Sequence, residues 1–415
     1  MSFNIPALRS KNYRLFFGGQ GLSLIGSWMT QVATIWLVYQ LTNSALILGI
    51  VGFTGQIPSF VLAPFGGVLV DRRNPHQILI VTQILAMLQS LALATLTLMG
   101  VIQIWHILIL SFCQGLINAF DAPARQTFVK DLVERPADLA SAIALNSSLV
   151  NGARLVGPAI AGIIIARIGT GFCFLVDGIS YIAVIAALLA MHLPRRPTVN
   201  QGKIDVLQWI REGFEYAFGF PPIRAILLLM AIFSLSAMSY TTLVPIFATE
   251  VLQGDAHTLG FLMAASGIGA LMGGIYLTTR TTVVGLGKVI MVAPALAGAG
   301  LIAFALSRNL SLSLLCSLAI GLGSILQIAA SNTVLQTVVE DSKRGRVLSL
   351  FTMAFLGVVP FGNLLFGVLA SRIGAPATLV LGGSVCLLAS FVFSQQLPNL
   401  RKLVKPIYQQ AGILP

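Results

Sequence analysis

Long apolar runs separated by short polar segments fill most of the chain. Because about 20 helical residues cross the ~30 Å hydrocarbon core of a bilayer, runs of this length predict transmembrane helices. Six runs precede a polar middle segment and six follow it, near residues 14–41, 44–70, 77–100, 103–128, 139–168, 171–191, 223–249, 257–279, 286–306, 311–338, 346–371 and 376–397. The pattern predicts an all-α integral membrane protein with twelve transmembrane helices in two six-helix bundles.

The polar middle segment divides the chain into three parts. We predict an N-terminal bundle over residues 1–191, a cytoplasmic linker over 192–222, and a C-terminal bundle with a short tail over 223–415. Within the linker, apolar side chains recur at helical spacing, at Val206, Ile210, Phe214 and Phe218. This spacing predicts an amphipathic helix on the inner face of the membrane.

The two halves of the chain resemble each other in sequence. Residues 162–169 are echoed by residues 367–374 at a constant offset, and Gly157 falls on Gly362 at that same offset. Internal repetition at half-chain length in an apolar protein predicts a transporter built from two bundles related by an axis along the membrane normal. The alternative is chance similarity, since helices rich in small residues resemble one another by composition.

Composition and charge exclude a soluble protein and predict the orientation. Hydrophobic residues make up 56% of the chain and charged residues 9%, against about 25% charged residues in soluble domains. The net charge of +12 is spread through short loops, so we expect no nucleic-acid partner. With both termini in the cytoplasm, only Arg167, Arg308 and Arg372 among the loop cations face outward. This asymmetry predicts that orientation in a plasma membrane, here a bacterial inner membrane.

Polar side chains within the predicted helices form stripes on helices 1, 4, 7 and 10, which are the first helices of successive three-helix groups. Because lipid cannot satisfy polar groups, such stripes must face protein or water. They predict a central cavity lined by Gln20, Ser23, Ser27, Gln31, Gln114, Asn118, Ser236, Tyr240, Ser324 and Gln327. For any one of these residues, the alternative to lining a cavity is a hydrogen bond to a neighbouring helix.

Three charged residues lie deep in the predicted helices: Asp121, Arg154 and Asp177. Asp121 and Arg154 fall at similar depths on adjacent helices, and a lone buried charge is costly, so we predict an ion pair between them. Asp177 is a weaker candidate partner for Arg154. In one hypothesis Asp121 carries the proton, and its proton affinity changes as Arg154 approaches or withdraws. In the other, a static pair only holds helices 4 and 5 together.

The loop after predicted helix 2 resembles a signature of the major facilitator superfamily. Residues 67–73, Gly-Val-Leu-Val-Asp-Arg-Arg, are similar to the superfamily's Gly-x-Leu-Ala-Asp-Arg motif. The resemblance implies an inner latch in which Gly67 admits close helix contact while Asp71 and Arg72 hydrogen-bond to neighbouring helix ends. The match is incomplete, because Asn74, Pro75 and His76 stand where the signature continues, and in the second half Thr278 occupies the acidic position.

Predicted helix 5 resembles the antiporter motif of proton-driven exporters in the same superfamily. That motif reads Gly-x-x-x-Gly-Pro-x-x-Gly-Gly, and Gly157, Pro158 and Gly162 match it here, while alanine replaces two other glycines. The helix-4 motif of the superfamily is half present, because Ser111 stands at its arginine position. Stretches along nearly the whole chain, among them residues 36–39, 123–126 and 344–350, resemble the branch that holds macrolide-efflux proteins and the enterobactin exporter.

The sequence carries no phosphate-binding loop, no His-Glu-x-x-His and no nucleophile elbow, so we expect neither an enzyme nor a cofactor or metal. The resemblance implies a monomeric secondary active transporter that exports a small amphiphilic or siderophore-like molecule by proton antiport with alternating access. Its expected partners are that molecule, protons and membrane lipid. The alternatives are a lysophospholipid or other lipid transporter of the same superfamily and a non-transporting membrane receptor or channel.

Overall fold

The computed structural model describes residues 6–133, 135–191, 206–280, 282–410 and 412–413, apart from a few side chains, among them those at 71, 72 and 206–210. These residues are almost entirely helical, and no strand occurs among them. Twelve of their helices are long and apolar enough to cross a membrane. The predicted all-α fold with twelve membrane-spanning helices is therefore confirmed.

Six helices make up the first half of the described chain. They are α1 (Lys11–Thr42), α2 (Ala45–Arg72), α3 (Pro75–Leu98), α4 (Ile104–Leu132), α5 (Leu139–Ile168) and α6 (Thr170–Leu189). Local chemistry sets their ends: the Ser10 side chain accepts a hydrogen bond from the Tyr13 N–H at the start of α1. At the start of α3, the Asn74 side chain accepts a hydrogen bond from the His76 N–H, and Pro75 occupies the first helical position.

The second half begins with the linker helix α7 (Val206–Gly219) and contains six further spans. Their α-helical parts are α8 (Pro221–Phe233), α9 (Val244–Ile246), α10 (Ala256–Thr278), α11 (Leu286–Leu306), α12 (Leu310–Val338), α13 (Asp341–Thr352), α14 (Val359–Ile373) and α15 (Ala375–Gln410). An amphipathic helix in the linker was expected, and α7 occupies that position. Its Glu212 forms an ion pair with Arg346 of α13, which fixes the linker helix to the eleventh span.

Spans 7 and 11 were predicted as continuous helices, but both are interrupted. Between α8 and Leu252 the backbone passes through π-helical and 3₁₀ turns around the three-residue helix α9. A π-helical turn, Met353–Gly357, also separates α13 from α14. Pro245 lies in α9, within the first interruption, and Pro360 lies at the start of α14, after the second. Proline has no N–H and a fixed φ, so it disfavours a regular α-helix that continues through these positions.

The internal repeat has a structural counterpart at its glycines. A Cβ atom on Gly157 would lie 2.5 Å from Cβ of Trp28 in α1. On Gly362, the repeat-equivalent position, it would lie 2.6 Å from the carbonyl oxygen of Leu235, in the π-turn after α8. Each glycine therefore lets the fifth helix of its half cross closely over the first helix of that half.

A second pair of repeat-equivalent glycines shows the same correspondence. Gly162 of α5 crosses Gly260 of α10, where a Cβ on Gly162 would lie 3.1 Å from the Gly260 Cα. Gly367 of α14 crosses Gly49 of α2, where the corresponding distance would be 2.8 Å. Backbone contact at such short range requires glycine on both helices.

The helices form two compact units, and these differ from the predicted halves by two short segments. The first unit contains Met1–Asn43, Thr54–Gly202 and Gly254–Ala264, and the second contains Ser44–Phe53, Lys203–Gln253 and Ala265–Pro415. Close helix contacts at these glycines explain why the start of α2 belongs to the second unit and the start of α10 to the first. The start of α10 packs on α5 in the first unit, and the start of α2 packs on α14 in the second.

Candidate proton-coupling site

Asp177 lies on α6 in the first unit and is 2% exposed. Its Oδ2 accepts hydrogen bonds of 2.8 Å from the hydroxyls of Thr30 on α1 and Ser90 on α3. Its Oδ1 is buried and accepts no hydrogen bond from the residues that the structure describes. The carboxyl group therefore lies where α1, α3 and α6 meet, with two hydroxyl partners and one unoccupied acceptor position.

Close packing of α1 against α6 produces this arrangement. A Cβ atom on Gly26 would lie 2.7 Å from Asp177 Oδ1 and 2.9 Å from Ser180 Oγ. The absence of a side chain at Gly26 thus lets α1 approach near enough for Thr30, one turn further along, to reach the carboxylate. Hydroxyl groups suit such a position, because each can donate to a carboxylate or accept from a protonated carboxyl group.

Tyr181 lies one turn beyond Asp177 on α6. Its hydroxyl is 3.2 Å from Ser27 Oγ on α1, and its ring packs with Ala86 of α3 and Ile117 of α4. Tyr181 thus connects α6 to α1 and packs toward α3 and α4.

Asp121, on α4, has a different environment. Its Oδ1 accepts hydrogen bonds from Thr82 Oγ1 at 2.9 Å and Gln83 Nε2 at 2.8 Å, both on α3. Its Oδ2 forms an ion pair with Arg125, one turn along the same helix. Both oxygens are thus occupied, and the cluster holds α4 to α3 through charge-assisted hydrogen bonds.

The predicted Asp121–Arg154 ion pair is wrong, because Asp121 is paired with Arg125. The guanidinium of Arg154 instead lies 5.7 Å from the centre of the Trp28 ring, a cation–π geometry that connects α5 to α1. The sequence interpretation looked for a partner on the adjacent helix and so missed Arg125. Its i, i+4 spacing from Asp121 was the signal that could have identified the pair.

The candidate cavity residues differ widely in burial. Gln31 and Asn118 are exposed, Ser27 and Gln114 are half-buried, and Asn118 accepts a hydrogen bond from Gln114 at 3.1 Å. The others are buried, namely Gln20, Ser23, Ser236, Tyr240, Ser324 and Gln327. Within the second unit, Gln327 Oε1 is buried without a hydrogen-bond partner. The cavity assignment stays a prediction.

The side chains of Asp71 and Arg72 lie outside those that the structure describes. Their part of the latch hypothesis therefore stays a prediction. The expectation that Gly67 admits close helix contact is wrong for the described part of the chain, since a Cβ atom there would meet none of its atoms within 4 Å. The neighbouring Gly66 has that role: a Cβ atom on it would collide with the carbonyl oxygen of Ala119 on α4. The glycine that packs against α4 is therefore Gly66, one residue before Gly67, which matches the motif.

The antiporter-like motif on α5 is buried. Gly157, Pro158 and Gly162 all face other helices, with Gly157 against α1 and Gly162 against α10. The carbonyl oxygen of Pro158 would lie 2.7 Å from a Cβ on Gly260. These contacts give the motif a packing role, and its connection with proton antiport stays a prediction.

Comparison with known proteins supports this architecture. A family model described as transmembrane secretion effector, of the major facilitator superfamily, matches residues 3–405. Curated relatives include the staphyloferrin A transporter of Staphylococcus aureus, 27% identical over 92% of this chain and 95% of that protein. The multidrug efflux pump Tap of Mycolicibacterium fortuitum is also 27% identical, over 91% of this chain and 93% of its own.

A macrolide efflux protein A of Streptococcus pyogenes is 22% identical over 94% of this chain and 98% of its own. Among solved structures, a POT family transporter in complex with 5-aminolevulinic acid aligns over 94% of this chain and 97% of its own, with a TM-score of 0.74 and 11% identity. A bacterial homologue of the lysosomal transporter Spinster aligns over 99% of both chains, with a TM-score of 0.68 and 14% identity. These structures share the fold of the chain.

Proposed function

Since the chain belongs to the transmembrane secretion effector family of the major facilitator superfamily, we propose that it exports a small amphiphilic or siderophore-like molecule in exchange for protons. Its place in that family makes it a multi-pass membrane transporter of small molecules and not an enzyme. The printed functions of its relatives, staphyloferrin A transport and drug or macrolide efflux, support the substrate class. We place it in a bacterial inner membrane, as a monomer with both termini in the cytoplasm.

The observation that carries the proton-coupling proposal is the unoccupied Oδ1 of Asp177. A proton can be added to this oxygen without displacing an existing hydrogen bond or breaking an ion pair. The hydroxyl partners Thr30 and Ser90 remain bonded to the other oxygen in either protonation state. Ionisable residues inside a membrane protein are costly, and they commonly serve ion or proton movement.

Asp121 is less suited to carry the proton, because its charge is compensated by Arg125 and both oxygens are engaged. Protonating it would leave the half-buried arginine without its counter-ion, which is unfavourable. We therefore assign proton binding to Asp177 and a positioning role to the Asp121–Arg125 pair. This replaces the hypothesis that Asp121 carries the proton under the control of Arg154.

Depth along the helices orders these groups. With ~1.5 Å of rise per residue, Asp177 lies about 10 Å from the start of α6 and Tyr181 about 16 Å, while Asp121 lies about 26 Å from the start of α4. Both helices begin at the side predicted to face outward. A proton that enters from outside would thus meet Asp177 first and then the Ser27–Tyr181 hydroxyl pair, on a route toward the inner side.

The antiport cycle follows from the charge change at Asp177. Protonation removes a negative charge from the junction of α1, α3 and α6, which alters the free-energy difference between the two access states of a rocking-bundle transporter. Proton release toward the cytoplasm restores the charge. Exchange results if substrate and proton favour opposite access states.

The test uses Asp177→Asn in proteoliposomes at equal protein density. We expect loss of uphill substrate accumulation driven by a pH gradient, because the amide cannot take up and release a proton. Exchange of labelled for unlabelled substrate, which needs no net proton movement, should persist. Staphyloferrin A and a macrolide are suitable first substrates, given the relatives.

The matched control is Asp138→Asn, which removes a carboxylate from the short 3₁₀ helix that precedes α5, outside the membrane spans. It should transport like the wild type. Wild-type accumulation by Asp177→Asn would contradict the assignment. Movement of a labelled lysophospholipid in place of these substrates would favour the lipid-transport alternative.

A further inference from the structure

The second unit contains a cavity of about 800 Å³ between α8, α10, α11, α12 and α15. It lies where α10 ends, where α8 and α11 begin, and beside the last turns of α15. Charge asymmetry predicts that these helix ends face the cytoplasm. The cavity is distinct from the Asp177 site, which lies in the first unit.

Four cationic side chains line this cavity: Arg280, Lys288, Arg401 and Lys405. Its lining contains no Asp or Glu, and none of the four cations forms an ion pair within the part of the chain that the structure describes. Four unpaired positive charges around one space favour an anionic occupant.

Arg280 is the most confined of these cations. Its guanidinium lies 5.7 Å from the centre of the Tyr276 ring, and its Nη1 atom is buried without a hydrogen-bond partner among the described residues. A guanidinium presents donors in a fork that matches two oxygens of a phosphate or carboxylate. The buried Nη1 is a donor that such an oxygen would satisfy.

The remainder of the lining is predominantly apolar. Along α11, Val289 and Val292 follow Lys288 toward the membrane interior, and Leu326 of α12 and Phe393 of α15 complete that part of the wall. The cavity is thus basic at the helix ends and apolar further into the span. A compact hydrophilic anion would leave the apolar part unmatched, whereas an amphiphile with an anionic head matches both parts.

We propose that this cavity binds an anionic phospholipid of the cytoplasmic leaflet, with its phosphate at Arg280 and Lys288 and an acyl chain along α11. Basic pockets between transmembrane helices on the cytoplasmic side suit anionic headgroups. The lipid is a bound partner and not the exported substrate. The site requires only the predicted orientation, so it stands apart from proton coupling.

Native mass spectrometry of the full-length protein, stripped of lipid and titrated with phosphatidylglycerol, tests the proposal. Phosphatidylcholine with the same acyl chains is the zwitterionic comparison, and inorganic phosphate is the competitor without chains. We expect phosphatidylglycerol to bind preferentially, with no displacement by equimolar phosphate. Arg280→Gln/Lys288→Gln should weaken it by on the order of 30-fold, from a contribution of about 1 kcal/mol per cation.

Two further variants keep the test independent of folding. Lys288→Gln changes one exposed side chain and should weaken binding about fivefold. Lys402→Gln removes an exposed charge on α15 that does not line the cavity, and it should bind like the wild type. The proposal is overturned if phosphatidylcholine binds equally, if equimolar phosphate displaces the lipid, or if Lys402→Gln weakens binding as much as Lys288→Gln.

Discussion

Two buried carboxylates in one bundle differ because of their partners. Asp121 has an arginine and two further donors, whereas Asp177 has two hydroxyls and an unoccupied oxygen. The sequence identified both residues and their approximate depths. It could not identify the partners on other helices, because helix rotation and crossing decide which side chains meet. Arg125 lies one turn from Asp121 on the same helix, so its spacing could have identified the pair, but the sequence interpretation missed it.

The first residue-scale prediction concerns this fixed pair. Arg125→Gln should destabilise the protein by about 3 kcal/mol or more, because it leaves the buried Asp121 carboxylate without its counter-ion. The double variant Asp121→Asn/Arg125→Gln should recover much of that loss, since neither charge remains. Thermal unfolding in detergent measures both. A double variant no more stable than Arg125→Gln would show that the pair is not the reason for the loss.

At the scale of whole helices, glycine contacts define the packing of both halves. The sequence repeat pointed to Gly157, Gly162, Gly362 and Gly367, and all four lie at close helix crossings. The sequence did not show which helix each one meets. It also misassigned the packing glycine of α2, because Gly66 and Gly67 are adjacent in sequence and only the helix rotation distinguishes them.

The element-scale prediction compares two glycines on α5. Gly157→Ala would bring a Cβ atom to 2.5 Å from Cβ of Trp28, so α5 must move away from α1. Overpacking of this kind costs about 1–3 kcal/mol. Gly152→Ala is the matched control, because a Cβ atom there meets no atom of the described residues within 4 Å and alanine favours helix by about 1 kcal/mol relative to glycine.

Thermal stability and transport should both fall in Gly157→Ala, and stability should hold or rise in Gly152→Ala. Equal behaviour of the two variants would mean that α5 and α1 do not cross closely at Gly157.

At the scale of the whole molecule, apolar run length predicted the twelve spans, because bilayer thickness fixes helix length. The interruptions in spans 7 and 11 were not predicted, since proline and hydroxyl-rich segments occur in both straight and broken helices. In addition, the start of α2 belongs to the second compact unit and the start of α10 to the first, which was not predicted. This assignment of the two segments depends on glycine contacts between helices that are far apart in sequence.

Proton flux through the wild-type protein tests the central claim most directly. Proteoliposomes that contain a pH-sensitive dye receive external substrate without an imposed pH gradient. We expect the lumen to become more alkaline as substrate enters, because each inward substrate movement is exchanged for outward protons, and Asp177→Asn should exchange labelled substrate without this change. Substrate entry through the wild-type protein with no change in lumenal pH, at a rate insensitive to a protonophore, would contradict the account.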